Sequence, residues 1–304
     1  MRARQEHLPI VLGSATPSLE SLHNAHAGRY ALLRLNQRAG GAQQPRFLRL
    51  DVKSLPLDAG ISGPLQQAIR QTLEAGQQVL VFLNRRGFAP TLLCHDCGWI
   101  SQCPRCDARM TLHQRHNELR CHHCGHVERA PRNCPECNQV DLRPVGAGTE
   151  RAEERLALLF PQFPVLRIDR DSTSRKGAMD KLFATISKGE PCILVGTQML
   201  AKGHHFPRVT LVAILDADGG LFSADFRASE RMAQLTVQVA GRAGRAEEPG
   251  KVIIQSHLAD HPLLVQLTEQ GYPAFAEQAL SERRGAGLPP FAHLALLRGE
   301  AHKP

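Results

Sequence analysis

Short runs of consecutive apolar residues punctuate the chain at Gln78–Leu83, Val165–Ile168, Cys192–Val195, Val209–Leu215 and Lys251–Gln255. Runs of this length, bounded by Gly, Pro or charge, fit strands buried on both faces. Between them, apolar residues recur at i, i+3 and i+4, which predicts helices over Gly63–Ala75, Thr149–Leu159, Ala178–Lys188, Ala228–Val239 and Leu263–Arg284. Strand and helix in alternation predict an α/β fold, a parallel sheet covered by helices on both faces. Residues 92–142 break the alternation and read as an insertion that interrupts the sheet after its first strand. No internal repeat or low-complexity tract stands out, apart from a loose Gly/Gln-rich stretch at Ala39–Gln44.

Parallel α/β sheets place ligands at the C-terminal ends of their strands, so the residues just beyond each run are the candidates for chemistry. After Gln78–Leu83 comes Asn84-Arg85-Arg86-Gly87, and after Cys192–Val195 comes Gly196-Thr197-Gln198-Met199-Leu200-Ala201-Lys202-Gly203-His204. The helix Ala228–Val239 runs into Gln238-Val239-Ala240-Gly241-Arg242-Ala243-Gly244-Arg245. Arg242 and Arg245 stand one helical turn apart, so both guanidinium groups can face one polyphosphate, with glycines allowing close approach. Such a pair suits the charge that develops on a transferred γ-phosphate, although the tetrapeptide taken alone fits two solvated arginines better.

Composition bounds these readings without deciding them. With 304 residues, 42% of them hydrophobic, the chain has room for two domains, or for one domain with a large insertion. No apolar run nears the roughly 18 residues of a membrane helix, and the stretch after Arg2 and Arg4 is too short for a secretory signal. The formal charge of +8 favours anionic partners such as nucleic acid, but only weakly.

The cysteines carry more. Eight of the nine form four C-x-x-C pairs: Cys94/Cys97, Cys103/Cys106, Cys121/Cys124 and Cys134/Cys137. Each pair turns two sulfurs toward one point, and two pairs supply the four thiolates of a tetrahedral zinc site, so two closed, structural Zn²⁺ sites are expected. Disulfides need an oxidising compartment that nothing here signals, and a redox motif needs one such pair, not four. Gly98 and Gly125, each just after the second cysteine of a pair, suit the left-handed corner of a zinc-ribbon knuckle. Spacing leaves the pairing open among sequential, alternate and nested arrangements. His122, His123 and His126 are spare donors that read as surface residues, because eight thiolates already fill both sites. Two ions with eight thiolates add about −4, cutting the +8 surplus to about +4. Cys192 stands alone in an apolar run and reads as a small buried hydrophobe.

Gly13-Ser14-Ala15-Thr16-Pro17, the strand ending in Asn84–Gly87, the run Gly196–Gly203 and Gln238–Arg245 resemble, in this order, the motifs of superfamily 2 helicases. Four knuckles between the second and third motifs, with the stretch Asp216 to Arg231, narrow the likeness to the C-terminal part of the PriA family of primosomal replication-restart helicases. The resemblance implies an ATP-dependent 3′–5′ DNA helicase that recognises stalled or branched forks and reloads the replication machinery in the bacterial cytoplasm, at the nucleoid. It implies ATP with Mg²⁺ in the full-length protein. Its implied partners are forked and single-stranded DNA, other primosome proteins, single-stranded DNA-binding protein and the replicative helicase loader, with no membrane.

Residue by residue, the resemblance makes Ser14 and Thr16 the motif that couples the ATP site to DNA movement. Gly203, Gln238, Arg242 and Arg245 face nucleotide, with both arginines catalytic, while Arg85, Arg86, Thr197 and Lys202 face DNA. It implies nested zinc pairing, Cys94/Cys97 with Cys134/Cys137 and Cys103/Cys106 with Cys121/Cys124. The expected layout is the end of a first RecA-like helicase lobe at 1–35, a second lobe at 36–91 and 143–282 around the zinc insertion 92–142, and the start of a C-terminal domain at 283–304. One family element is missing. The P-loop G-x-x-x-x-G-K-[ST] has no counterpart, and Gly244 to Gly250-Lys251 is one residue too long with Val252 in place of the hydroxyl. The expectation is therefore a truncated piece that folds only in part, keeps two zinc ions and does not hydrolyse ATP alone. The alternative is a non-catalytic zinc protein that binds nucleic acid or docks partners.

Overall fold

The computed structural model describes residues 5–35, 44–83, 91–106, 108–113, 116–144, 152–168, 178–196, 206, 208–215, 217–221, 223, 225–243 and 250–295. Strands β1 (Arg46–Asp51), β4 (Gln78–Leu83), β10 (Val165–Ile168), β11 (Ile193–Gly196), β12 (Val209–Leu215) and β13 (Lys251–Ser256) form one sheet, while β2 (Leu57–Asp58) and β3 (Ile61–Ser62) make a small hairpin. The sheet order is β1-β13-β12-β4-β11-β10, and every neighbouring pair is parallel. Inner strands alternate between two buried faces, which is why their sequence reads as unbroken apolar runs. Leu80 and Phe82 join Leu194, Val212, Ile214, Val252 and Ile254 on one face. Val79, Val81 and Leu83 join Val195, Leu211, Ala213 and Ile253 on the other.

Helices cover both faces. Leu65, Ile69 and Leu73 of α2 (Gly63–Glu74) and Leu156 of α3 (Ala152–Leu159) pack on the second face. Ile186 of α4 (Ala178–Ser187) and Val239 of α6 (Ala228–Ala240) pack on the first; a four-residue helix α5 (Asp218–Leu221) precedes α6. A further cluster joins α1 (Leu19–His26), α6, α7 (Pro262–Glu269) and α8 (Gly271–Gly285), with Leu19, Leu22, Met232, Phe275 and Ala276 at its centre. Ser18 caps α1 by accepting the Ser21 N–H at 3.2 Å.

Three expectations are corrected. The sheet has an additional strand, β1, so the cysteine-rich segment follows the second sheet strand in chain order, not the first. β1 escapes pattern reading because it is an edge strand whose Arg46, Leu48 and Asp51 are exposed, and its alternation lies between two arginines. The single helix expected over Leu263–Arg284 is two, broken where Gly271 adopts φ +83° and Pro273 follows without an amide proton for the preceding turn.

The cysteine-rich segment carries its own small sheets, a pair β5 (Leu92–Cys94) with β9 (Leu142–Pro144) and a meander β6 (Thr111–His113), β7 (Glu118–Arg120), β8 (Val127–Arg129). Met110, Leu112 and Leu119 form its modest core with Cys103 and Cys121. Among the described residues no helix is long and apolar enough to cross a membrane.

Candidate metal centres and strand-end site

Knuckle geometry follows from the residues between and after each cysteine pair. Cys94 accepts the Gly98 N–H at its carbonyl and donates its own to Trp99, and Cys121 repeats the pattern with Gly125 and His126. Gly98 and Gly125 turn the corner at φ +81° and +77°, as their positions predict; Asn138 does so at +61° after Cys137. The four thiols Cys94, Cys97, Cys134 and Cys137 lie within 4.8 Å of one another, and so do Cys103, Cys106, Cys121 and Cys124. This is the nested pairing.

Across each site the closest sulfurs, Cys94 to Cys137 and Cys103 to Cys124, stand 3.6 and 3.5 Å apart, far beyond a disulfide bond. Four thiolates at Zn–S bonds of about 2.3 Å stand about 3.8 Å apart, so both clusters fit tetrahedral zinc without rearrangement. Burial raises the Cys121 thiol, but amides of Cys124 and His123 and the neighbouring thiols outweigh it and bring it down to about 6. The same balance lowers Cys134, and binding of an ion deprotonates the thiols that ligate it. His122 and His123 are exposed and His126 pairs with Glu128 at 3.2 Å, all outside the metal set. Cys192 is buried, and burial pushes its thiol up to about 11, in line with a core role.

The second site is built where segments distant in sequence meet on α6. Gln238 donates through Nε2 to the Thr16 hydroxyl at 3.1 Å, and Ser14 Oγ accepts the Thr16 N–H at 3.1 Å. Tyr272 donates to the Pro17 carbonyl at 2.6 Å, and Glu230 accepts the Leu19 N–H at 3.0 Å. Burial pushes the Tyr272 hydroxyl up to about 12, so it stays a donor. Below these contacts Arg283 and Glu230, each almost wholly buried, form an ion pair at 2.8 Å, and Arg283 also donates to the Phe226 carbonyl. α6 ends in Gly241 and delivers a half-buried Arg242 just beyond it. At the C-terminal ends of these neighbouring strands, Gly196 of β11 lies opposite Phe82 of β4.

Known proteins match these features. Residues 103–129 match the PriA DNA helicase Cys-rich region domain, and residues 145–247 match the helicase conserved C-terminal domain. The replication restart protein PriA of Haemophilus influenzae is 53% identical over 299 residues, covering 98% of this chain and 41% of that protein. The chain belongs to the PriA family. PriA of Bacillus subtilis is 43% identical over 97% of this chain and 37% of its own length, and PriA of Synechocystis is 40% identical over 98% and 37%. The chain thus spans about two-fifths of the length of the PriA relatives it matches. Among solved structures, S. cerevisiae Dbp5 bound to RNA and ADP BeF3 overlays 91% of this chain and 57% of that one at 13% identity, with a TM-score of 0.42, too loose to add to the PriA match.

Set against the PriA motifs, the structure joins Thr16 and Gln238 directly and brings all eight cysteines into two sites. Arg85, Arg86, Thr197, Lys202, Gly203 and Arg245 lie outside the described residues.

Pattern reading missed Glu230, Arg283 and a histidine chain. His257 Nδ1 meets Asp218 Oδ2 at 2.7 Å, His257 Nε2 meets His95 Nδ1 at 2.8 Å, and His95 Nε2 meets the Leu55 carbonyl at 2.9 Å. Asp218 also accepts from Ser256 Oγ at 2.6 Å and from the His257 N–H at 3.0 Å.

Proposed function

We propose that the chain supplies the second motor lobe and the zinc module of an ATP-dependent DNA helicase, one that works 3′ to 5′ on stalled or branched forks and reloads the replication machinery. The observation that carries this reading is the Gln238–Thr16 hydrogen bond, which ties the G-S-A-T-P segment to the helix that leads to Arg242. A nucleotide pulling on Arg242 acts on the same rigid helix that holds Thr16, so ATP state and DNA-side geometry share one element. In this reading Arg242 and Arg245, with Gly203, stabilise charge on the transferred phosphoryl group. Arg85, Arg86, Thr197 and Lys202 contact the DNA backbone. ATP with Mg²⁺ is held mainly by P-loop and acidic residues of a preceding lobe, to whose end residues 1–35 belong. Leu8, Ile10, Val11 and Leu12, all exposed and outside any sheet here, support that assignment.

The two zinc ions hold the knuckles rigid and leave no open coordination position, so the metal shapes a contact surface and does no chemistry. That surface takes DNA and primosome partners, in the bacterial cytoplasm at the nucleoid. The remaining boundaries follow the same reading: lobe residues at 36–91 and 143–282 flank the zinc module 92–142, and 283–304 lead into a further domain. The test is ATP turnover and unwinding of a forked duplex by a full-length PriA-family protein that carries this stretch, beside the 304-residue chain alone. DNA-dependent turnover in the first and none in the second is the expected result. Turnover by the short chain, or none by the long one, contradicts the reading.

A further inference from the structure

His95 lies inside the first knuckle, between the metal ligands Cys94 and Cys97, and both its ring nitrogens are committed outward to the sheet domain. His257 follows the last residue of β13, and Asp218 lies just past the end of β12, so the histidine chain joins a zinc knuckle to the C-terminal ends of two central strands. The contact is built on several sides. The Ser54 N–H donates to the His95 carbonyl and its hydroxyl donates to the Asp96 carbonyl, both at 3.1 Å. Leu93 and Ile100 of the module pack on Leu221 and Leu258 of the sheet domain. At Gly98 an added Cβ would stand 3.3 Å from Lys53 and 3.5 Å from the His257 carbonyl, and φ +81° already demands glycine.

Packing alone would hold the module by apolar area, which is tolerant of sliding; buried ring-to-ring and ring-to-carboxylate hydrogen bonds fix distance and direction as well. His95 is 4% exposed and Asp218 2%, so solvent does not loosen either bond. We propose that His95–His257–Asp218 is a positioning contact that clamps the Cys94–Cys97 knuckle to the ends of β12 and β13, so that the zinc module moves with the ligand-facing edge of the sheet. This rests on the motor reading for its consequence: DNA engaged by the module acts on the end of β12, from which the chain runs through α5 into α6, the helix that leads to Arg242.

The variant that isolates the contact is His257→Asn in a full-length PriA-family protein carrying this stretch. The Asn amide nitrogen takes the place of His Nδ1 and keeps the bond to Asp218, but it cannot reach His95. Expected are two zinc ions per chain, unchanged ATP turnover without DNA, and a kcat with DNA lowered about tenfold at unchanged KM for ATP, within the usual range of coupling between sites. His95→Gln, whose amide nitrogen takes the place of Nε2 and keeps the bond to the Leu55 carbonyl but loses His257, is expected to cause the same loss, and the double variant no more than either single change. Unaltered DNA stimulation in His257→Asn, losses that multiply in the double variant, or loss of zinc would each overturn the proposal. If the parent shows no ATP turnover at all, the motor reading falls and the clamp is judged by amide exchange instead. Faster exchange over residues 93–100 in His257→Asn then supports it, and unchanged exchange overturns it.

Discussion

The parallel sheet and the zinc module are held together by different means. In the sheet, Leu80, Phe82, Val212 and Ile254 on one face and Val79, Val81 and Leu211 on the other are all buried, and helices close both sides. In the module the core is Met110, Leu112, Leu119 and a few neighbours around the sulfurs, with strands of three residues. Segments that small do not bury enough apolar surface to offset the entropy of ordering them, and metal coordination supplies the difference. The lesson is that one chain contains a region whose stability is distributed over many side chains and another whose stability is concentrated in eight.

The largest expected effect follows directly. Chelation of zinc is expected to unfold the module, with apparent metal binding worth about 10–16 kcal/mol in comparable structural sites, while the sheet keeps its cooperative melt. Circular dichroism with a metal indicator measures both; loss of the sheet's transition together with the metal would erase the contrast. The reverse perturbation is Phe82→Ala, which empties a site that is 2% exposed and is expected to cost about 3–5 kcal/mol of sheet stability while leaving two zinc ions bound. Next comes Glu230→Ala, which leaves the buried Arg283 with only the Glu20 carboxylate, at 3.9 Å, to balance its charge and is expected to cost about 3 kcal/mol, read by urea denaturation. Smallest is Thr16→Val, which removes only the hydroxyl that accepts from Gln238 and is expected to cost about 1 kcal/mol in the same experiment. A larger loss there would mean that the segment before α1 is held by more than its hydrogen bonds.

What was legible in the sequence divides along physical lines. β4 and β12 are bounded correctly because strands buried on both faces must be apolar throughout, and the knuckles are recognised because metal geometry dictates spacing. The corners at Gly98 and Gly125 followed from the same geometry. β1 was hidden by its half-exposed edge position, and the break at Gly271 by apolar spacing that runs unbroken through it. The partnerships that matter most for coupling were invisible for a different reason. Thr16 and Gln238 are separated by 222 positions, His95 and His257 by 162, and Glu230 and Arg283 by 53. No local period records such pairs; only the fold brings them together.

The central claim is that α6 delivers an arginine to the nucleotide of a DNA-driven motor. The most direct test is Arg242→Ala in a full-length PriA-family protein carrying this stretch, with ATP turnover measured on forked DNA and zinc counted in the same preparation. The account predicts a fall in kcat of about 10³-fold, the lower end of what an arginine at a transferred phosphoryl group contributes, with two zinc ions retained. Turnover at the parent rate, with the metal in place, would contradict it.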